Sequence, residues 1–199
     1  MKKLALVLMF TLLATTASAQ WAQNNVGVYF DAAATSNYVA GIAPGTFVRC
    51  FVVGTGLTAP AVSGFEFKLL IEGAGAFVAT SIQYPTQAAN LAGRPDEYVV
   101  GFDGPVPVVD GQFVFMEYDV VVVGLDPVCT YLDPIYFASI PGSAAYLGEE
   151  PGILLPLSNS TGDPTNPGGR YAVSSINGLC EGAVPSDEAS WGSVKSLYR

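Results

Sequence analysis

Asp103, Asp110, Asp119, Asp126 and Asp133 recur through the middle of a 199-residue chain that contains no histidine. Carboxylates are therefore the main reactive side chains on offer, and they support two chemistries. Two that converge in one cleft hydrolyse glycosidic bonds. Several that share a site with backbone carbonyls bind calcium. The absence of imidazole removes Ser-His-Asp catalysis and histidine-ligated zinc or haem together.

The spacing favours neither chemistry. Asp103 and Asp110 precede Gly, and Asp126 and Asp133 precede Pro. In that setting the carboxylate ordinarily caps its own turn. The dense D-x-[DN]-x-[DN]-G ligand loop is missing. Calcium held by Asp103, Asp110 and loop carbonyls is a weak alternative to the expectation of no cofactor and no metal. Glu66, Glu97 and Glu117 fall at strand positions that look outward, which reads as three solubilising charges rather than a catalytic pair. Tyr29, Tyr38, Tyr84, Tyr98, Tyr131, Tyr136 and Tyr146 offer rings that could stack on sugars, but Tyr is also an ordinary strand residue. Asn159-Ser160-Thr161 matches a glycosylation acceptor pattern by chance in a chain with a bacterial-style leader.

The ends of the chain set the compartment. Lys2 and Lys3, the apolar run 4–13 and Ala17-Ser18-Ala19 read as a secretory signal peptide over 1–19, cut after Ala19. The run is too short to span a bilayer and no stop-transfer segment follows. The mature chain then has six basic against seventeen acidic residues, a net charge of −11. A surface that acidic repels phosphate backbones, so nucleic acid is excluded as a partner. Outside the cytoplasm Cys50, Cys129 and Cys180 suggest one disulfide and one spare thiol. Cys129 and Cys180 both sit beside turn-like segments and are paired on that basis. Cys50 alternates with outward residues in a strand and is read as buried.

These residues need a scaffold, and the composition says which kind. Half the residues are hydrophobic and only 13% are charged, while 22 Gly and 14 Pro break helices and punctuate strands. Short apolar runs between turns predict strands over 26–30, 46–53, 64–71, 77–83, 97–102, 112–123, 135–140 and 170–176, with minor ones near 144–147 and 153–157. In 64–71 the alternation puts Phe65, Phe67 and Leu69 inward. In 112–123 it puts Val114, Met116, Tyr118 and Val120 inward. The Pro-rich stretch 104–107 is expected to interrupt a strand. The fold class is all-β, an antiparallel β-sandwich over 20–182. A tail, 183–199, follows, with a short C-terminal helix whose stripe is Trp191, Val194 and Leu197 or Tyr198.

Residues 45–123 resemble a cohesin-like domain. The resemblance rests on the strand Gly45-Thr46-Phe47-Val48, then Val62-Ser63-Gly64-Phe65-Glu66-Phe67-Lys68-Leu69, then Asp110-Gly111-Gln112-Phe113-Val114 and the Val-rich strand after it. It implies a jelly roll that binds other proteins or glycans and catalyses nothing. Glu72-Gly73-Ala74-Gly75 stands where the family pattern has Asp-Pro, so no binding residue is carried over. The ending Trp191-Gly192-Ser193-Val194-Lys195-Ser196-Leu197-Tyr198-Arg199 resembles a short signature of exported bacterial proteins, which implies a sorting or docking tag.

The expectation is thus a secreted, non-catalytic β-sandwich module, extracellular or at the cell surface. It would bind another extracellular protein or a glycan, or serve a structural role. A small carboxylate-dependent glycoside hydrolase and a polymerising structural subunit are the alternatives.

Overall fold

The computed structural model describes residues 23–77, 81–150, 152–161 and 170–180. The expected leader over 1–19 and the expected tail over 183–199, with its helix, lie outside the described residues. Within them every regular element is a strand. The order is β1 (Asn25–Tyr29), β2 (Tyr38–Val39), β3 (Phe47–Thr55), β4 (Ala61–Glu72), β5 (Ala76–Phe77) and β6 (Ala88–Asn90). It continues with β7 (Glu97–Pro107), β8 (Phe113–Val122), β9 (Val128–Asp133), β10 (Ala144–Leu147), β11 (Leu154–Asn159) and β12 (Ser174–Ile176). No helix among the described residues is long and apolar enough to cross a membrane.

The strands form two layers. Sheet A runs β1-β3-β8-β5. In sheet B, β4 is the central strand: β7 and then β6 lie on one side, while β10 and β9 lie end to end on the other. β12 and β2 extend sheet B beyond β9. β11 joins the layers, because Leu154 to Leu157 pair with β10 while Ser158 and Asn159 pair with β1. The pairing is antiparallel throughout except β1 with β11 and β2 with β12.

Alternation builds the core. Phe65, Phe67 and Leu69 of β4 point inward, as do Tyr98 and Val100 of β7. Phe65 stacks on Phe67 at 4.7 Å between ring centroids and meets Phe115 of the facing sheet edge-on at 5.3 Å. Burying each such side chain contributes about 1.5–3 kcal/mol.

β8 departs from simple alternation. Val52 pairs with Met116 but Val53 pairs with Val114, so Phe115 is an extra residue in a β-bulge. The bulge flips the facing of everything before it. Phe113 and Phe115 are therefore buried and Val114 is not, while Met116, Tyr118 and Val120 keep their inward positions.

Other expected strands change too. Segment 77–83 contributes only the end of β5 and an isolated bridge from Gln83 to Glu117. Segment 170–176 is a strand only over Ser174–Ile176. β7 runs on through Pro105 and Pro107 instead of being interrupted there, because their positions near its end leave them outside the β6 ladder. Segment 135–140 is not a strand at all. Asp110 and Gly111 occupy the hairpin tip between Val109 and Gln112 with φ of 51° and 74°, the left-handed pair that a two-residue turn requires.

Candidate functional site

β9 and β10 would be one strand beside β4 if nothing separated them. Asp133 pairs with Lys68, and Ala145 pairs with Glu66 where an unbroken strand would place residue 135. Ten extra residues have been inserted. Pro134 and Pro141 bracket the excursion 134–143, and neither can donate to a ladder, so the chain leaves the sheet at one and returns after the other.

The excursion crosses the outer face of sheet B. Glu66 of β4 and Glu97 of β7 project from that face, because their neighbours Phe65, Phe67 and Tyr98 fill the core. Both carboxylates hold the excursion. Tyr136 donates its backbone N–H to Glu97 Oε1 at 2.9 Å. Ser139 donates its N–H to Glu66 Oε1 at 2.7 Å and its hydroxyl to Glu66 Oε2 at 2.8 Å. Hydrogen bonds to ionised carboxylates are stronger than neutral ones. Covered in this way, Glu66 and Glu97 are only 6% and 7% exposed. The expectation of open, solubilising charges is corrected for these two, and it stands for Glu117, which lies on sheet A in a surface ion pair with Arg49.

What the clamp holds out is apolar. Ile135 is buried, but Tyr136 is 66% and Phe137 84% exposed. Their rings meet edge-on at 4.6 Å. The Arg94 guanidinium lies over the Tyr136 ring at 4.4 Å and within 3.8 Å of Glu97. Leu91, also exposed, donates its N–H to Val99 in the same row of the sheet as Glu66. Lys68 pairs with Asp96 at 3.1 Å, and that hydrogen bond draws the Asp96 carboxyl below its ordinary range.

A strap lies farther along the same face. Arg170 contacts Glu72 at 2.8 Å and Asp133 at 3.4 Å, and its guanidinium covers the Tyr131 ring at 4.1 Å. Cys129 of β9 and Cys180 are joined by a disulfide, with Ala172 and Tyr131 packed against it. The free thiol, Cys50, is buried in the core, and burial pushes its pKa up to about 12.

The remaining residues singled out from sequence are scattered. Of the seven tyrosines only Tyr136 is exposed; Tyr98 and Tyr146 are buried. The Tyr146 hydroxyl donates to Asn24 Oδ1 at 2.8 Å. Asp103 accepts from the Thr86 hydroxyl, Asp119 pairs with Arg49, and Asp110 sits in its turn. Among the described residues no three His, Cys, Asp or Glu side chains gather as a metal ion requires. The Asn159 amide donates to the Leu132 carbonyl at 3.0 Å.

No protein-family model matches the chain, and no curated protein does. Among solved structures it is similar to the seventh ScaB type I cohesin from Pseudobacteroides cellulosolvens, at 11% identity and a TM-score of 0.47 over 77% of this chain and 90% of that one. It is also similar to the sixth cohesin of Acetivibrio cellulolyticus scaffoldin B, solved in complex with a Cel5 dockerin mutant. The figures there are 11% identity and a TM-score of 0.49 over 78% of this chain and 98% of that one. A third is CaCohA2 from Clostridium acetobutylicum, at 9% identity and 0.44 over 81% and 94%. At this level of likeness no partner and no binding residue passes to the chain.

Proposed function

We infer that this chain is an exported, non-catalytic module that binds another extracellular protein through the excursion 134–143. The observation that carries the reading is the clamp. Two buried carboxylates are committed to holding in place a loop whose outward side chains are Tyr136 and Phe137. Exposed aromatics cost solvation, and a preorganised loop lowers the ordering cost of association. Tyr, Arg and other large side chains gathered at one spot are the composition of protein-binding hot spots.

The chemistry speaks against the other expectations. Glu66 and Glu97 share a face, but the excursion lies over both: Ser139 donors take both oxygens of Glu66, and the Tyr136 N–H takes Oε1 of Glu97. A glycosidase pair needs one oxygen free for water or for the sugar. A sugar platform needs a bare flat ring. Arg94 covers one face of Tyr136, and Phe137 meets it edge-on.

The test is affinity capture from the extracellular fraction of the source culture. Wild type, Tyr136→Ala/Phe137→Ala and Arg49→Ala are compared as baits. The reading expects a protein retained by wild type and Arg49→Ala and lost from the double variant by at least about tenfold, the effect of a hot-spot residue. Equal retention by all three baits would contradict it.

A further inference from the structure

We propose that the partner presents one Asp or Glu side chain beside a large apolar residue. Arg94 receives the carboxylate, and Tyr136 and Phe137 receive the apolar group. The inference rests on the excursion being the binding surface and adds the chemistry of what binds there.

Arg94 differs from the other cations. Among the described residues, Arg49, Lys68 and Arg170 each meet a carboxylate within hydrogen-bonding distance, at 2.6 Å, 3.1 Å and 2.8 Å. Arg94 stands 3.8 Å from Glu97 Oε1, and that oxygen already accepts the Tyr136 N–H at 2.9 Å. A donor 3.8 Å from its acceptor makes no hydrogen bond. The Arg94 guanidinium therefore keeps N–H groups to give, and its side chain is half exposed.

The ring beneath steadies that group. The guanidinium carbon lies 4.4 Å from the Tyr136 ring centroid, and Glu97 anchors the Tyr136 backbone. A guanidinium already stacked on an anchored ring loses less freedom when it pairs with a planar carboxylate. Such pairs are commonly bidentate and stronger than neutral hydrogen bonds. The apolar contact lies alongside, where Phe137 is 84% exposed and meets Tyr136 edge-on. Glu66 and Glu97 are covered, so Arg94 is the charge this spot shows to a partner. The rest of the chain narrows the fit further. From Gln20 onward it carries seventeen acidic against six basic residues. That body repels a run of acids, which leaves a single carboxylate delivered at Arg94.

The experiment selects a random-peptide phage library on the full mature chain. The best enriched peptide is then synthesised twice, with its acid intact and with that acid replaced by the amide. Fluorescence anisotropy measures both peptides against wild type, Arg94→Gln, Arg94→Lys and Tyr136→Ala/Phe137→Ala, and circular dichroism checks that each variant is folded. The proposal expects enriched peptides to set Asp or Glu beside Trp, Phe, Tyr or Leu. Arg94→Gln and the amide peptide should each weaken binding at least about tenfold, and combining them should cost no more than either alone. Arg94→Lys, which keeps the charge but not the fork, should recover part of the loss. A structural role for Arg94 would instead make the two losses multiply, and that result would overturn the proposal. Enriched peptides without an acid, or no enrichment at all, would overturn it too. If Tyr136→Ala/Phe137→Ala abolishes binding while Arg94→Gln does not, this inference fails alone. If binding ignores both, both readings fail.

Discussion

The outer faces of the two sheets carry the same kinds of residue and put them to different use. On sheet A, Arg49 meets Asp119 at 2.6 Å and Glu117 at 3.4 Å across β3 and β8, in the open. On sheet B, Glu66 and Glu97 also lie on strands, but a remote piece of chain crosses above them and donates to both oxygens of Glu66 and to Oε1 of Glu97. An exposed ion pair is worth about 0–1 kcal/mol, whereas a covered carboxylate with several donors cannot be removed without orphaning them. A strand glutamate thus takes its role from whatever covers it.

Several substitutions should break or sharpen this contrast. The largest expected effect belongs to the strap over sheet B. Cys129→Ala/Cys180→Ala opens a link spanning 51 residues and should cost about 2–4 kcal/mol in urea unfolding. Next comes the clamp. Glu66→Ala leaves the Ser139 N–H and hydroxyl without their acceptor and should cost about 1–3 kcal/mol. Glu117→Ala on sheet A should stay within about 0.5 kcal/mol. If the two glutamates cost the same, the distinction between faces is wrong.

The core beneath both faces gives a pH signature. Burial raises the Cys50 pKa from 9.0 to about 12 in the folded chain. The unfolded state therefore releases this proton first. The thiol's contribution is intact below pH 9 and is lost as pH rises toward 12, by at most about 1.4 kcal/mol per pH unit. Thermal melts between pH 8 and 11 should fall more steeply for wild type than for Cys50→Ala. Equal slopes would remove the thiol from the account. The smallest effect is expected at Arg49, whose replacement by Ala should change stability by less than about 1 kcal/mol.

Much of the scaffold could be read from residue types, because alternation is a local property. Phe65, Phe67 and Leu69 point inward as their spacing says, and the span 144–147 is a strand. β9 was also legible, since Val128, Thr130 and Leu132 alternate with more exposed residues between Pro127 and Pro134. No strand is expected there from sequence because Asp126-Pro127 marks a turn directly beside Cys129. The bulge at Phe115 was not legible: one inserted residue reverses the facing of Phe113 and Val114 without altering composition. The same limit hid the clamp. Nothing near Glu66 or Glu97 in sequence shows that residues about 40 to 70 positions later lie above them. The one available signal was the pair Pro134 and Pro141 around an apolar stretch, which argues against a paired strand.

Amide hydrogen exchange at Tyr136 and Ser139 tests the clamp most directly. The account predicts that both amides in the intact protein exchange roughly 100-fold slower than an open loop, equivalent to about 2.7 kcal/mol of local stability, and that Glu97→Ala and Glu66→Ala respectively abolish the protection. Exchange at open-loop rates in the unaltered protein would contradict it.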